Sequence, residues 1–386
     1  MKLLHLSDLH LGKRVNEFPM LEDQRAVLAQ IAEMARQEKP DGVLIAGDVY
    51  DRPVPPGEAV TLFDDFLVRL RALNIPVFLL SGNHDSPERL AFGGRLMAES
   101  GVHVAPLYNG TVSPLSLTDA YGRVDIYLLP FLRPAQVRAV AGEDAEIVSY
   151  TDAMRFAISR MPLDDGARNV LVTHQFVAGA APGESEDLSV GGTDCVAAEV
   201  FAPFDYVALG HIHRAQQVSS SRIRYCGAPL RYALSEAGQE KSVTLVELGE
   251  KGTLSVRALP LTMPRGMALL RGKYEELTAR AFYEGTTYPE DYVQITLTDE
   301  EDVAEALGRL RVIYPYLMRL EYDNRRTRCE GVAGQAPENV PERTPFALLA
   351  ELYRRQNGRE MTELQRVLAE RCIRIAFDGE NPTAAD

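Results

Sequence analysis

Val77-Phe78-Leu79-Leu80-Ser81-Gly82-Asn83-His84-Asp85 is the stretch whose reading decides the fold. Val77–Ser81 is an apolar run with the composition of a buried strand, and Gly82 breaks it into residue types that bind metals. A plain turn would not ask for Asn, His and Asp in that order. Four other segments repeat the plan. Lys2–Ser7 runs into Asp8-Leu9-His10, and Gly42–Ala46 runs into Gly47-Asp48-Val49-Tyr50-Asp51. Asn169–Thr173 ends in His174, and Asp205–Leu209 ends in Gly210-His211-Ile212-His213. Helical stretches such as Gln24–Glu38 and Gly57–Leu73 separate the first strands. That alternation predicts an α/β protein with βαβ units and a mostly parallel sheet. Open α/β sheets bind ligands outside the carboxyl ends of their strands, so five ends are expected to converge on one spot.

The donors gathered there would be Asp8, His10, Asp48, Asn83, His174, His211 and His213. They mix hard oxygens with imidazole nitrogens and include no thiolate. All-oxygen sites suit Mg²⁺ or Ca²⁺, and thiolates suit structural zinc; mixed nitrogen and oxygen ligation suits Mn²⁺, Fe²⁺ or Zn²⁺. Seven side chains are too many for one ion with open positions, so two ions sharing a carboxylate are expected. Two metals roughly 3.5–4 Å apart can clamp the attacking and leaving oxygens of a phosphoryl displacement. Each piece alone is weak: Gly-Asp-Xaa-Xaa-Asp is commonly a turn with Asp as a cap. Order and placement carry the reading, because five of the seven histidines fall at the donor ends of these segments, while His5 lies within the first strand run and His103 outside them.

The 386 residues suggest two or three domains. Ser242–Leu248 and Leu254–Leu261, joined by Gly249-Glu250-Lys251-Gly252, read as a hairpin that closes a first domain near residue 262. Val293, Ile295 and Leu297 alternate with polar residues as a half-buried strand, Asp302–Val312 is helical in pattern, and Tyr316–Tyr322 alternates again. The expected division is 1–262, a small α/β unit at 263–328, a linker at 329–343 and a helical segment at 344–386. Thr344-Pro345 suits a helix start, and Thr362 with Gln365 suits a capping box for a second helix. Periodicity alone leaves open whether these two helices pack on their own domain or dock on another protein. The scattered cysteines Cys195, Cys226, Cys329 and Cys372 read as buried, inert thiols and fit a reducing cytoplasm. No signal peptide and no membrane-spanning run is read. The net charge of -14 is unfavourable for a chain that holds a polyanion unaided.

The five segments in this order resemble the signature of the calcineurin-like metallophosphoesterases, and the surrounding text resembles the SbcD-type nuclease subunits among them. The stretches that carry this are LLHLSDLHLGKR, GDVYDRPVPP, LLSGNHDSPERL, VTHQFVAGA with the later GGTD, FDYVALGHIHRAQQV and RYCGAPLRYALSEAGQEKSVTLVEL. The resemblance implies a metallophosphoesterase sandwich with a small capping domain and C-terminal helices. It implies one ion on Asp8, His10, Asp48 and His213, and a second on Asp48, Asn83, His174 and His211, with Mn²⁺ the expected metal. It makes His84 the group that protonates the leaving oxygen and Asp51 the residue that orients it. It further implies a homodimer that cuts DNA during double-strand-break and hairpin processing, with an SbcC-type ATPase bound by the C-terminal helices and supplying much of the DNA grip. The chain has no Walker-type phosphate loop of its own. Two other classes compete. A small-molecule phosphoesterase would share the site but have no use for the C-terminal third. A scaffold with a vestigial site is disfavoured by competent residues at every donor position.

Overall fold

Uncharged runs of valine, leucine and isoleucine become strands here because both of their faces are covered. Gly42–Ala46, for example, is buried at every residue. The computed structural model describes residues 1–142, 146–181, 183, 194–325, 327 and 345–378. They fall into two units, Met1–Met267 and Ala268–Asp386.

In the first unit the elements run β1 (Lys2–Leu6), α1 (Leu21–Glu38), β2 (Gly42–Ala46), α2 (Gly57–Ala72), β3 (Val77–Leu80) and β4 (Val102–Val104). They continue as β5 (Leu115–Asp119), β6 (Gly122–Leu129), α3 (Pro134–Ala141), α4 (Tyr150–Ser159), β7 (Arg168–His174) and β8 (Tyr206–Gly210). The last four are β9 (Gln216–Val218), β10 (Ser220–Tyr225), β11 (Ser242–Leu248) and β12 (Leu254–Pro260). One sheet has the order β12-β11-β1-β2-β3-β4, and the other has the order β9-β10-β8-β7-β6-β5. The mostly parallel sheet read from the alternation is thus accompanied by a second, and the two mixed sheets make the sandwich that the resemblance implied. Each has four parallel strands flanked by antiparallel ones. Apolar runs reveal strands but not the sheet they join, and β11 pairs with β1 across nearly the whole unit.

The sheets face each other. Leu3, Leu44, Phe78 and Leu80 share one apolar cluster with Val124, Ile126, Val170, Val172 and Ala208. On the far side of the second sheet, Ala153, Met154 and Ala157 of α4 cover Tyr127, Leu171, Val207 and Leu209. Helices α1 and α2 pack on one another, and α2 packs against β3. Parallel pairing sets the register so that strand ends lie level: Leu6 faces Ile45, Ala46 faces Leu80, and Gly210 faces His174. At the other end of β7, buried Arg168 bonds Asp119 at 2.5 Å and the carbonyls of Gly122 and Gly249 at 2.8 and 2.9 Å, pinning one sheet to the other.

The second unit holds a three-stranded sheet, β13 (Met267–Gly272), β14 (Tyr292–Leu297) and β15 (Leu317–Tyr322), with β14 in the middle and parallel to β15. Val293, Ile295, Leu297 and Leu317 form its core with Leu277 of α5 (Tyr274–Thr278) and Leu310 of α6 (Ala306–Arg311). Helix α6 is shorter than the expected Asp302–Val312, because Glu305 has left-handed backbone, φ 52°, and cannot continue a right-handed turn. Helices α7 (Pro345–Asn357) and α8 (Glu363–Asp378) follow. The capping box forms as read: Thr362 N–H donates to Gln365 Oε1 at 2.9 Å, and Gln365 N–H to Thr362 Oγ1 at 3.4 Å. The expected linker 329–343, Thr344 and Cys329 lie outside the described residues. Cys226 is buried as expected, but Cys195 is half-buried and Cys372 is exposed on α8. No described helix is long and apolar enough to cross a membrane.

Candidate metal centre

All seven expected donors and His84 come from the loops that leave β1, β2, β3, β7 and β8, and they meet at the carboxyl edge of the two sheets. Donor atoms of Asp8, His10 and His213 lie within 4.8 Å of one another, as do those of Asp8, Asp48 and His174, and of His10, Asp48 and His84. Asp48 Oδ2 is central: it is 3.3 Å from His174 Nε2, 3.6 Å from His10 Nε2 and 4.0 Å from His84 Nε2. His10 Nε2 and His213 Nε2 are 3.1 Å apart. Asn83 turns Oδ1 toward His174 Nε2 at 2.9 Å and toward His211 Nδ1 at 3.1 Å.

Backbone geometry shows how the loops reach this point. Asp8, His10 and Asp48 have φ of 54°, 43° and 48°, and His211 has 104°. Left-handed backbone is uncommon outside glycine and costs about 1–3 kcal/mol per residue. Four donors are thus held in conformations that only their surroundings can enforce. Two carboxylates do much of the enforcing. Asp8 accepts the His211 N–H at 3.0 Å, joining the two sheets, and also the Ser7 hydroxyl at 2.5 Å. Asp85 accepts the N–H groups of Tyr50, Gly82 and Val49 at 2.9, 3.0 and 3.1 Å, fastening the β2 loop to the β3 loop. Burial, then the nearby Asp48 charge, pushes Asp85 up to about 6 despite those donors. Gly82 is glycine for a steric reason, since a Cβ there would strike the Asp48 carboxylate.

The donor set fits divalent metal ions, and His174 gives the clearest test. Its Nδ1 lies 2.8 Å from the Ala46 carbonyl, which can only accept, so Nδ1 carries the proton and Nε2 presents a lone pair. That lone pair faces the oxygens of Asp48 and Asn83. In the neutral imidazole three electron-rich atoms converge in a buried space, and a metal ion or a proton must lie between them. Without an ion a proton takes that place: burial opposes a charged imidazole, yet the Asp48 carboxylate outweighs it and lifts His174 to about 9, so Nε2 gives up this proton when a metal binds. A ring N–H committed to a backbone carbonyl is also how metal-binding histidines are commonly held.

His84 stands at the rim, with its side chain 25% exposed. Asp51, expected to orient it, meets it through the backbone. The Asp51 backbone carbonyl, not its carboxylate, lies 3.1 Å from His84 Nδ1. The carboxylate pairs with Lys13 at 2.7 Å and lies 3.6 Å from His10 Nδ1. Other supports have no counterpart among the sequence-derived site residues. Buried Glu236 lies 3.7 Å from His213 Nδ1 and 2.5 Å from Lys241 Nζ, while Lys241 donates to the His213 carbonyl at 3.1 Å. Burial would raise Glu236, but the nearby His213 imidazole and the Lys241 charge bring it down to about 2. Gln24 donates to the His10 carbonyl at 2.7 Å, and Tyr232 donates to the carbonyl of Leu9. Gln24 lies in α1 and the other three follow β10, with no spacing in the sequence that ties them to the donors.

Two family models match the chain: calcineurin-like phosphoesterase over residues 1–215, and type 5 capsule protein repressor C-terminal domain over residues 263–357. The SbcD subunit of nuclease SbcCD from Staphylococcus epidermidis is 30% identical over 324 residues, covering 83% of this chain and 85% of that protein. Among solved structures, a dimetal phosphatase from Danio rerio aligns with a TM-score of 0.38 and 13% identity, over 68% of this chain and 99% of its own. A protein of Thermus thermophilus aligns with a TM-score of 0.35 and 11% identity, over 67% of this chain and 98% of its own.

The carboxylate behind His213 should matter to metal binding. Glu236→Gln is expected to weaken Mn²⁺ binding about 10- to 100-fold, read by calorimetric titration of the folded variant. Unchanged affinity would mean that His213 does not depend on Glu236.

Proposed function

The chain belongs to the calcineurin-like phosphoesterases and, within them, to the family of the SbcD subunit of nuclease SbcCD; from that premise we propose that it hydrolyses DNA phosphodiester bonds as the nuclease partner of an SbcC-type ATPase. The observation that carries this is the convergence of the His174, Asn83 and Asp48 donors beside a rim histidine open to a cavity. Asp8, His10, Asp48 and His213 would hold one ion, and Asp48, Asn83, His174 and His211 a second, with Asp48 shared. The mixed nitrogen and oxygen set favours Mn²⁺. When bound, such a pair acidifies water and neutralises charge on phosphoryl oxygens.

The chain's own contribution centres on His84. The Asp51 carbonyl accepts a hydrogen bond from Nδ1–H and can never donate one, so Nε2 is the nitrogen that gains and releases a proton. Nε2 faces the Asp48 side of the centre, where the leaving oxygen of a bound phosphodiester would depart. No side-chain nucleophile is needed. With Mn²⁺ present, the purified chain should cut a DNA hairpin, and chelation should abolish cutting. His84→Ala should retain metal and lose about 10²–10⁴-fold in rate. Turnover of a cyclic nucleotide with no action on the hairpin would replace the DNA reading with a small-molecule one.

The partners follow from two apolar surfaces. On the first unit, Val60, Phe63 and Leu67 of α2 line a groove of about 680 Å³ with Leu90, Phe92 and Met97, and Phe92 is 85% exposed. We assign this face to a second copy of the chain. Phe92→Glu should yield monomers by sedimentation; a persistent dimer would place the contact elsewhere. On the second unit, Leu348 and Leu352 of α7 and Leu364, Val367 and Leu368 of α8 are exposed at helical spacing. We assign these helices to the ATPase, acting together with this chain in the cytoplasm on DNA breaks and hairpins. Leu364→Glu with Leu368→Glu should abolish co-purification with the ATPase while leaving Mn²⁺-dependent cleavage intact. Retained complex would exclude this surface.

A further inference from the structure

Beside the metal centre is a cavity of about 430 Å³ whose walls differ in character. Asn83, His84 and His211 form the wall toward the donors, and Phe131, Tyr150 and Phe176 supply aromatic surface elsewhere, with Arg133 at the side. The aromatic residues come from three separate elements. Phe131 follows β6 and is anchored by its N–H to the Ser81 carbonyl at 3.1 Å. Tyr150 is the first residue of α4, and Phe176 lies two residues beyond His174. The Phe131 ring centre is 6.4 Å from that of His211, with planes 28° apart, and 6.4 Å from that of Tyr150. Phe176 is 6.5 Å from His211, and the Arg133 guanidinium lies 5.5 Å from the Phe131 ring centre. All three rings are half-buried: Tyr150 and Phe176 pack against the core of the second sheet while also lining the cavity.

We infer that Phe131, Tyr150 and Phe176, with Arg133, clasp the base of the nucleotide that carries the scissile phosphate, so that the centre acts on a nucleotide whose base is unpaired. This rests on the nuclease reading above. Whatever fills the cavity while a phosphate sits at Asn83, His84 and His211 must be tethered to that phosphate. The tethered group must also cover aromatic surface, and a flat π-system with polar edges does so. The volume falls within the range of small-ligand pockets and suits one nucleoside. Aromatic faces bind any base, because every base has a π-face, and a nearby arginine adds cation–π attraction. A base seated there has left its stack and its pairing partner.

The test uses the full chain with Mn²⁺ and a single-stranded oligonucleotide carrying one cleavable bond. The nucleotide at that bond is either normal or abasic. Phe131→Ala should lower kcat/KM on the normal strand by roughly 5- to 150-fold, the worth of one base–aromatic stack. The abasic strand should cost the wild type a similar factor, and the variant should lose nothing further on it. Phe131→Trp should restore cutting of the normal strand. In a binding assay without turnover, 2-aminopurine at the cleaved position should be quenched by His84→Ala protein and not by the His84→Ala, Phe131→Ala double variant, with equal Mn²⁺ affinity in both. Should Phe131→Ala fold poorly, Tyr150→Ala with Arg133→Ala is put through the same comparison. An equal loss on both strands, or quenching that survives the substitution, would overturn the clasp alone. A wild type inert on both strands would overturn the nuclease reading and the clasp with it.

Discussion

Everything at this centre follows from the Asp48 carboxylate crowded by two buried imidazoles and a third at the rim. Oδ2 of Asp48 lies within 4.0 Å of nitrogens on His10, His84 and His174. Lone pairs held that close repel one another unless a metal ion or a proton lies between them. The fold must therefore supply both the crowding and the restraint. Parallel pairing brings the strand ends level, and left-handed backbone at Asp8, His10, Asp48 and His211 turns the side chains inward. Asp8 and Asp85 then hold the loops by their N–H groups. The restraint is covered by the large apolar core between the sheets, as strain at functional sites generally is.

Much of this was legible in the sequence. The five strand-to-donor junctions stand where the strand ends are, because buried strands are apolar and their ends carry the chemistry. Sheet membership was not legible, since apolar runs of β1 and β7 look alike although they lie in different sheets. The helix expected over Asp302–Val312 shortened for a local reason, the backbone of Glu305. The role read for Asp51 met a subtler obstacle. A motif names a residue and not the atom it uses, and here the backbone carbonyl faces His84 while the carboxylate faces Lys13. Glu236, Lys241, Gln24 and Tyr232 escaped notice because they act through space on His213 and on the β1 loop, from positions far away in the chain.

The acidic balance of the chain, -14 overall, bears on how substrate is held. Phosphate neutralisation by lysine and arginine supplies most nucleic-acid affinity and weakens steeply with salt. Such a surface is unfavourable on a chain whose bulk field repels polyanions. Base stacking has no such penalty, because it is set by apolar contact and ring polarisability rather than net charge. A metal centre that draws in one phosphate and an aromatic wall that covers one base together need little basic surface. On the proposed function, the remaining grip on duplex DNA would fall to the partner, for which the apolar helix faces of the second unit offer a surface.

The same division explains why the aromatic wall is built where it is. Phe131 and Phe176 sit on the segments that position the donors: Phe131 bonds the strand end preceding Gly82 through Ser81, and Phe176 follows His174. A ring tied to the donor-bearing backbone holds a base at a fixed distance from the phosphate, and fixed geometry is what allows positioning to lower a barrier. A basic loop elsewhere on the surface would raise affinity for every phosphate along a strand without selecting one. On the proposed clasp, stacking beside the metal donors would select the single phosphate whose base can leave its helix. Substrate choice thus becomes a property of the same rigid strand ends that assemble the metal centre.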